Sequence, residues 1–257
     1  MLYNLTVGAD AYVSCIPEVL YIKRILGQVR KAVQDFDMIR EGDRLAVGVS
    51  GGKDSLTLLL ALRKLMDFYP ERFELEAVTI NMGLGDFDLS PVKRLCGEIG
   101  VNYTIEDTLI GRIVFEARKE KNPCSLCANL RRGALNNAAK KLSCNKVALA
   151  HNRDDVIETL LMSTFYEGRI HTFSPVTYLA RTQLHVIRPF IYVEEKQIKA
   201  AVKKQNLQIV HNPCKANGST KRQYFKELLL DMSKDNREVK SNLFGAILRS
   251  GLEGWHE

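Results

Sequence analysis

Apolar positions along this chain recur with two different periods, and the period switches at regular intervals. Over residues 18–36, Leu20, Ile22, Ile25, Leu26, Val29, Val33 and Phe36 keep the spacing of one helical face. The turn Glu41-Gly42-Asp43 ends that stretch, and residues 44–49 (RLAVGV) form a short apolar run of the strand type. Residues 56–65 predict a strongly apolar helix, 73–80 a strand, 91–99 a helix and 101–105 a third strand. A helix-like stretch ends near Lys121, a helix is predicted over 128–142, a fourth strand over 146–150, and a further helix through Phe165. Beyond Thr172 the pattern is less regular, with a strand near 184–187, a helix over 194–205, a loop over 212–221 and helical character in the basic stretch 221–249. Strands alternating with helices of this length predict an α/β fold: an open, Rossmann-like parallel sheet flanked by helices on both faces. The expected organisation is a helical extension over 1–40, a central domain over 41–220 and a basic, helical tail over 221–257.

Composition narrows the class. Hydrophobic residues are 46% and charged residues 26% of the 257, which suits a globular chain rather than a disordered one. No apolar run reaches the roughly 18 residues of a membrane span, and the first twenty residues lack the pattern of a secretion signal. A soluble, cytoplasmic protein in a reducing compartment is the expectation. The net charge of +7 is compatible with a polyanionic partner and does not by itself require one.

Chemistry concentrates at three places. The first is Ser50-Gly51-Gly52-Lys53-Asp54-Ser55, set between the first strand and an apolar helix. A strand turning sharply into a helix aims free N–H groups and the positive end of the helix dipole at the turn, which is what a phosphate requires. The glycines allow close backbone approach, the serines offer hydroxyls and Lys53 a charge. A carboxylate beside phosphates is repulsive without an intervening cation, so Asp54 points to Mg²⁺ on the nucleotide. The Walker pattern GxxxxGK[ST] is absent.

The second place is the cysteines. Of six, Cys15, Cys96 and Cys144 are isolated and read as small apolar residues, whereas Cys124 and Cys127 form a CxxC at a helix start. Cys214 lies in a separate loop with His211 three residues before it, so zinc on Cys124, Cys127, His211 and Cys214 and an iron–sulfur cluster on three thiolates both fit the donors. The third is His151-Asn152-Arg153-Asp154-Asp155, where the fourth strand gives way to a helix, the ligand-binding edge of an open α/β sheet. Asp154 and Asp155 suit helix capping, and two carboxylates exceed that need. Asn81 closes the second strand, a place for contact with the nucleotide base. Arg131, Arg132, Lys221 and Arg222 are candidates for RNA contact, as are Lys196, Lys199, Lys203, Lys204, Lys215 and Lys226.

The SGGKDS loop resembles the signature of PP-loop ATP pyrophosphatases, which cleave ATP between its α and β phosphates. DFDMIREGDRLAVGVSGGKDSLTLL, CSLCANLRRG, ALAHNRDDVIETLLMSTFYEGR and IRPFIYVEEKQI extend the likeness to the tRNA 2-thiocytidine synthetases, over residues 34–222. That resemblance implies an adenine nucleotide alpha hydrolase-like fold and an ATP- and Mg²⁺-dependent enzyme. Such an enzyme adenylates the C2 oxygen of cytidine 32 in tRNA and replaces it with sulfur. It also implies a 4Fe-4S cluster on Cys124, Cys127 and Cys214, ATP-proximal roles for His151 and Asp154, and Asp154 as base or metal ligand. The second CxxC typical of that family is absent, since Cys214 stands alone. Expected partners are tRNA and a sulfur donor, either a cysteine desulfurase or free sulfide, with a homodimer left open. Two related activities stand as alternatives: a 2-thiouridine synthetase, and a lysidine-synthetase-like ligase, which needs no cluster.

Overall fold

The computed structural model describes residues 10–85, 87–117, 123–210 and 221–255, with side chains from residue 22 onward. Helix α1 (Asp10–Asp35) leads into β1 (Asp43–Gly48), α2 (Lys53–Leu65), β2 (Phe73–Asn81), α3 (Ser90–Glu98) and β3 (Asn102–Asp107). A single turn, α4 (Ile110–Arg112), runs into a π-helical turn, Ile113–Ala117, ahead of α5 (Pro123–Lys141). There follow β4 (Lys146–Ala148), α6 (Arg153–Glu167), β5 (Val176–Leu179), β6 (Leu184–Ile187), α7 (Glu195–Lys204), α8 (Lys221–Asp235) and α9 (Val239–Leu248).

The strands make one six-stranded sheet in the order β3-β2-β1-β4-β6-β5. All neighbours are parallel except β5 and β6. This antiparallel edge is the one departure from the expected parallel sheet. Strand β5 is only four residues long and mostly half-buried, too short for its apolar period to register. The α5 helix also starts earlier than its apolar pattern suggests, with Pro123 at its start, so the CxxC lies inside its first turns.

Alternation along β1 sorts the two cores. Leu45 and Val47 face a core built with α1, α2 and α7, while Ala46 faces a smaller one with Leu135, Ala138 and Ala139 of α5. Gly48 lets α5 come close, because a Cβ there would lie 2.9 Å from Leu135 Cδ2. Ile25, Val29 and Val33 of the expected extension, and Leu229, Phe244, Ile247 and Trp255 of the expected tail, all enter the larger core. Side chains from all three expected segments thus share one interior. Among the described residues no helix is long and apolar enough to cross a membrane.

The topology places the site. From β1 the chain crosses through α2 to β2 on one side, and from β3 it crosses through α5 to β4 on the other. The direction of winding therefore reverses between β1 and β4, and the crevice at their C-terminal ends is where ligands bind in such sheets.

Trp255 is 1% exposed, packs edge-on against Phe36 and Phe244, and donates its indole N–H to Phe173 O at 3.2 Å. Trp255→Ala is predicted to cost about 3–5 kcal/mol of stability, read as a lower denaturant midpoint. An unchanged midpoint would mean that the C-terminal segment is peripheral to the core.

Candidate active site

The loop after β1 is built as an anion cradle. Ser50 N–H donates to Ser55 Oγ (3.1 Å), and the Ser55 hydroxyl donates to Gly52 O (3.0 Å), closing a tight turn. Gly51 takes φ +76°, and Val210 N–H donates to its carbonyl at 2.9 Å. A Cβ on Gly51 would sit 2.8 Å from Val210 Cβ, so both the conformation and the close approach demand glycine. Gly52 is the N-cap of α2 and has no side chain to offer. The N–H groups of the first turn are thus left for an outside acceptor, with the helix dipole behind them.

A network of charges flanks one side of this loop. Lys53 Nζ lies 2.6 Å from Asp54 Oδ2 and 3.1 Å from Glu195 Oε1, and Lys226 Nζ also reaches Glu195 Oε1, at 2.7 Å. Burial works to raise the Glu195 pKa, but Lys226, Lys199 and Lys53 together hold it down at about 2. Asp154 accepts on both oxygens, one from Lys240 Nζ (2.6 Å) and the other from Glu195 N–H (2.7 Å). It joins α6, α7 and α9 and lines a small cavity together with Lys53 and Asp54. Asp155 forms a reciprocal capping box with Asn152 and also accepts from Arg222 Nη1 at 3.2 Å. Arg222 additionally holds Glu158 (3.3 Å), whose pKa is pushed up to about 7 by burial and by Asp155. Arg222, expected on an RNA-contacting surface, is half-exposed and clasps α8 to α6. Its neighbour Lys221 stays outside, 4.1 Å over the Tyr166 ring. Lys196, Lys199 and Lys226 are likewise committed to Glu194 and Glu195.

On the other side of the loop lies a cavity of about 390 Å³. One end is walled by β2 and the loop after it, with Asn81, Met82, Leu84 and Phe87; the other is walled by Leu179 and Val186 of the edge strands and by Arg188. Ser50 and His151 lie on the wall as well, and α5 adds Arg131, Arg132, Leu135 and Asn136. The Asn81 side chain is engaged, donating to Asp107 Oδ1 (2.7 Å) and accepting from Gly83 N–H (3.1 Å). His151 packs against Phe173 with ring centroids 4.9 Å apart. Its pKa falls to about 3, through burial first and then the nearby Arg188, Arg222 and Arg132 charges, so the imidazole is neutral. Arg188 is fixed by Ser174 O (2.6 Å) and Thr177 Oγ1 (3.1 Å) over the face of Phe173. Sequence reading assigned no role to Asn136, Arg188, Glu195 or Lys240. A buried arginine directly after an apolar strand, Arg188, was the signal at hand.

The thiols stand beside this cavity on the same helix. Cys124 is exposed and Cys127 is buried, 3.6 Å from Met82 Sδ and packed with Ile110 and Val114. Three residues apart, they share one face of α5 and thus offer two sulfurs to one ligand. Cys214 and His211, the other expected metal donors, lie outside the described residues. The chain enters that segment at Val210, bonded to Gly51, and emerges just before Arg222, bonded to Asp155. Among the described residues no three His, Cys, Asp or Glu side chains gather closely enough to hold a metal ion.

An uncapped helix start behind SGGKDS, opening on an apolar cavity at the switch point, defines a nucleotide-phosphate-binding α/β protein of the PP-loop class. A family model described as a PP-loop domain matches residues 23–232. The tRNA-cytidine(32) 2-sulfurtransferase of Geobacter sulfurreducens is 40% identical over 228 residues, covering 88% of this chain and 89% of that protein. That of Pelobacter propionicus is 40% identical over 233 residues, covering 90% and 87%. The chain belongs to the tRNA-cytidine(32) 2-sulfurtransferase family of PP-loop proteins. In fold it is similar to the U34-tRNA thiolase NcsA of Methanococcus maripaludis, a structure with its 4Fe-4S cluster. The TM-score is 0.73 at 22% identity, over 89% of this chain and 78% of that one.

The neutral state of His151 has a thermodynamic consequence. With a folded pKa of about 3 against an ordinary 6.5, the unfolded chain takes up a proton that the folded chain refuses. The contribution is complete above about pH 6.5 and is lost as the pH falls towards 3, at up to about 1.4 kcal/mol per pH unit. His151→Phe should therefore flatten the dependence of unfolding free energy on pH between about 6 and about 4. Equal slopes in variant and wild type would show that His151 protonates freely in the fold.

Proposed function

We propose that this chain is an ATP-dependent tRNA sulfurtransferase that adenylates the C2 oxygen of a cytidine, at position 32 by resemblance, and exchanges it for sulfur. One observation carries the reading: α5 holds Cys124 and Cys127 in its first turns and lends Arg131, Arg132, Leu135 and Asn136 to the wall of the cavity at the phosphate loop. From Cys127 to Arg131 is about 6 Å of helix rise. The sulfur-handling and nucleotide-handling parts are therefore neighbours on one rigid element. The identity of about two residues in five to relatives named for this reaction supports the same reading.

The cytosine C2 oxygen is a poor leaving group, and its attack on the α-phosphate turns it into a good one as pyrophosphate departs. The N–H groups of the first turn of α2, with Lys53, meet the charge that builds on pyrophosphate. We assign Mg²⁺ to the nucleotide phosphates, with Asp54 as the protein's contribution. Its carboxylate is partly exposed, with Lys53 on Oδ2 and a long 3.4 Å contact from Asn152 on Oδ1, whereas each Asp154 oxygen already accepts a short hydrogen bond. Mg²⁺ typically takes one or two carboxylates plus substrate phosphates, so it needs no larger acidic cluster here. Met82, Leu84 and Phe87 form an apolar slot for adenine beside Asn81. Two thiols on one face of α5 fit a thiolate-held centre, with Cys214 as the third thiolate that the resemblance implies. A 4Fe-4S cluster on Cys124, Cys127 and Cys214 would supply the sulfur from an iron that lacks a protein ligand. The sulfur donor is assigned to a cysteine desulfurase or free sulfide.

Anaerobically purified protein should carry about four irons and four sulfides per chain, lost in Cys214→Ala. One zinc per chain and no colour would remove the cluster and leave the ATP site. Asp54→Asn should slow tRNA-dependent pyrophosphate release by roughly a hundredfold or more. Release at the wild-type rate would exclude Asp54 as the metal-facing group.

A further inference from the structure

Large aromatic side chains scattered singly over a surface are ordinary, whereas a contiguous exposed group of them marks a place where something docks. The chain has such a group where the C-terminal end of α6 meets the first turn of α8. Phe165, Tyr166 and Tyr224 are 69%, 49% and 57% exposed. All three pack on Phe225, with ring centroids 5.6, 5.7 and 5.4 Å from its own. Phe225 itself is 1% exposed, so it anchors the group in the fold. Covering Phe225 explains the inner faces of the three outer rings and leaves their outer faces without a task.

The charge around these rings is cationic where it is uncommitted. Among the described residues Lys221 forms no ion pair, and its ammonium rests 4.1 Å over the Tyr166 ring. The neighbouring acids are occupied: Glu167 pairs with Arg169 at 2.7 Å, and Glu227 accepts from Gln223 at 2.8 Å. Both helices also reach the active site. Helix α6 starts at the Asn152 and Asp155 capping box, where Asn152 Nδ2 lies 3.4 Å from Asp54 Oδ1 of the phosphate loop. Arg222 of α8, the residue after Lys221, is bonded to Asp155. From Asp155 to Tyr166 is about 16 Å of helix rise, so the rings and the site stand on the same rigid elements.

We propose that this aromatic group is a stacking platform for the unpaired tRNA nucleotides that flank the target base. The proposal rests on the thiolation reading above. A base reaches an enzyme cavity only by leaving the stack of its own loop, and that uncovers the faces of its neighbours. Aromatic rings cover such faces whatever the base, and a lysine beside them answers the backbone phosphates. Three rings with one cation therefore supply affinity without choosing a sequence. A second copy of this chain is the rival occupant. Lysine is depleted from the cores of protein–protein interfaces, and here it sits on the face of one of the exposed rings, which favours an anionic partner.

The test combines Phe165→Ala with Tyr224→Ala, two exposed side chains outside the phosphate loop and its cavity, and in parallel Phe165→Trp with Tyr224→Trp. The Kd for unmodified tRNA should rise roughly ten- to a hundredfold in the alanine pair and stay within about threefold of wild type in the tryptophan pair. ATP affinity without tRNA and the sedimentation mass should not move in either. Wild-type tRNA affinity in the alanine pair overturns the proposal, as does an equal loss in the tryptophan pair, which keeps the stacking surface. A dimer that falls to a monomer in the alanine pair assigns the face to a second copy and also overturns it. Should the alanine pair fail to fold, wild-type protein photo-crosslinked to tRNA bearing 5-iodouridine, in turn at each loop position next to the target, decides. A crosslink to Phe165, Tyr166 or Tyr224 supports the platform, and crosslinks only elsewhere overturn it. Wild-type protein that binds no tRNA sinks the thiolation reading and this assignment together. An active enzyme whose tRNA affinity ignores both pairs overturns this assignment alone.

Discussion

The uncapped start of α2 is the constraint around which the rest of the molecule is arranged. A helix beginning at Gly52 leaves backbone N–H groups without intrahelical partners, and with them an uncompensated positive end. Placed at the reversal point of the sheet, that end becomes an anion site, and every neighbour is adjusted to keep it open. Val210 comes close enough to bond Gly51 only because Gly51 has no side chain. Ser50 and Ser55 bond one another and the turn, and Ser50 Oγ takes only the Gly52 N–H, at a long 3.4 Å.

Around a site made for anions the chain places Asp54, Asp154, Asp155, Glu158 and Glu195, an arrangement that repels phosphate unless each charge is answered. Each one is: Lys53, Lys240, Arg222, Lys226 and Lys199 pair with them at ion-pair distance. These pairs also tie α6 to α8 and α9, so the late helices are fastened to the site by charge and to the sheet by apolar burial. Partly buried pairs of this kind are costly to break singly, because the partner left behind stays desolvated. The network is thus a positioning device first.

Across the loop the logic is the reverse. The cavity is lined by apolar side chains, by Arg131, Arg132 and Arg188, and by a histidine kept neutral by burial and by neighbouring arginines. In a partly enclosed pocket electrostatic interactions are stronger than in open water, which suits a step in which a nucleobase oxygen displaces pyrophosphate. Phe173 links this chemistry to the fold: it backs His151 and Arg188 and accepts the indole hydrogen bond of Trp255, close to the end of the chain.

Much of this was legible in the residues alone. The strand-to-helix turn at SGGKDS, the β–α alternation and the CxxC on a helix follow from local rules: apolar period, glycine permissiveness and spacing. These operate within a few residues, so one sequence carries them. The antiparallel strand β5 escaped because four half-buried residues are too few to show a period. The partners of Asp154 and Arg222 escaped because a carboxylate or guanidinium has the same local signature whichever distant helix answers it. Only packing decided that Lys240, 86 residues along, fills Asp154, and that Asp155 faces Arg222. Likewise the convergence of Asn136, His151 and Arg188 on one cavity depends on two strand ends and a helix meeting in space. Sequence determined which groups could do the chemistry, and tertiary structure alone decided which were left free to do it.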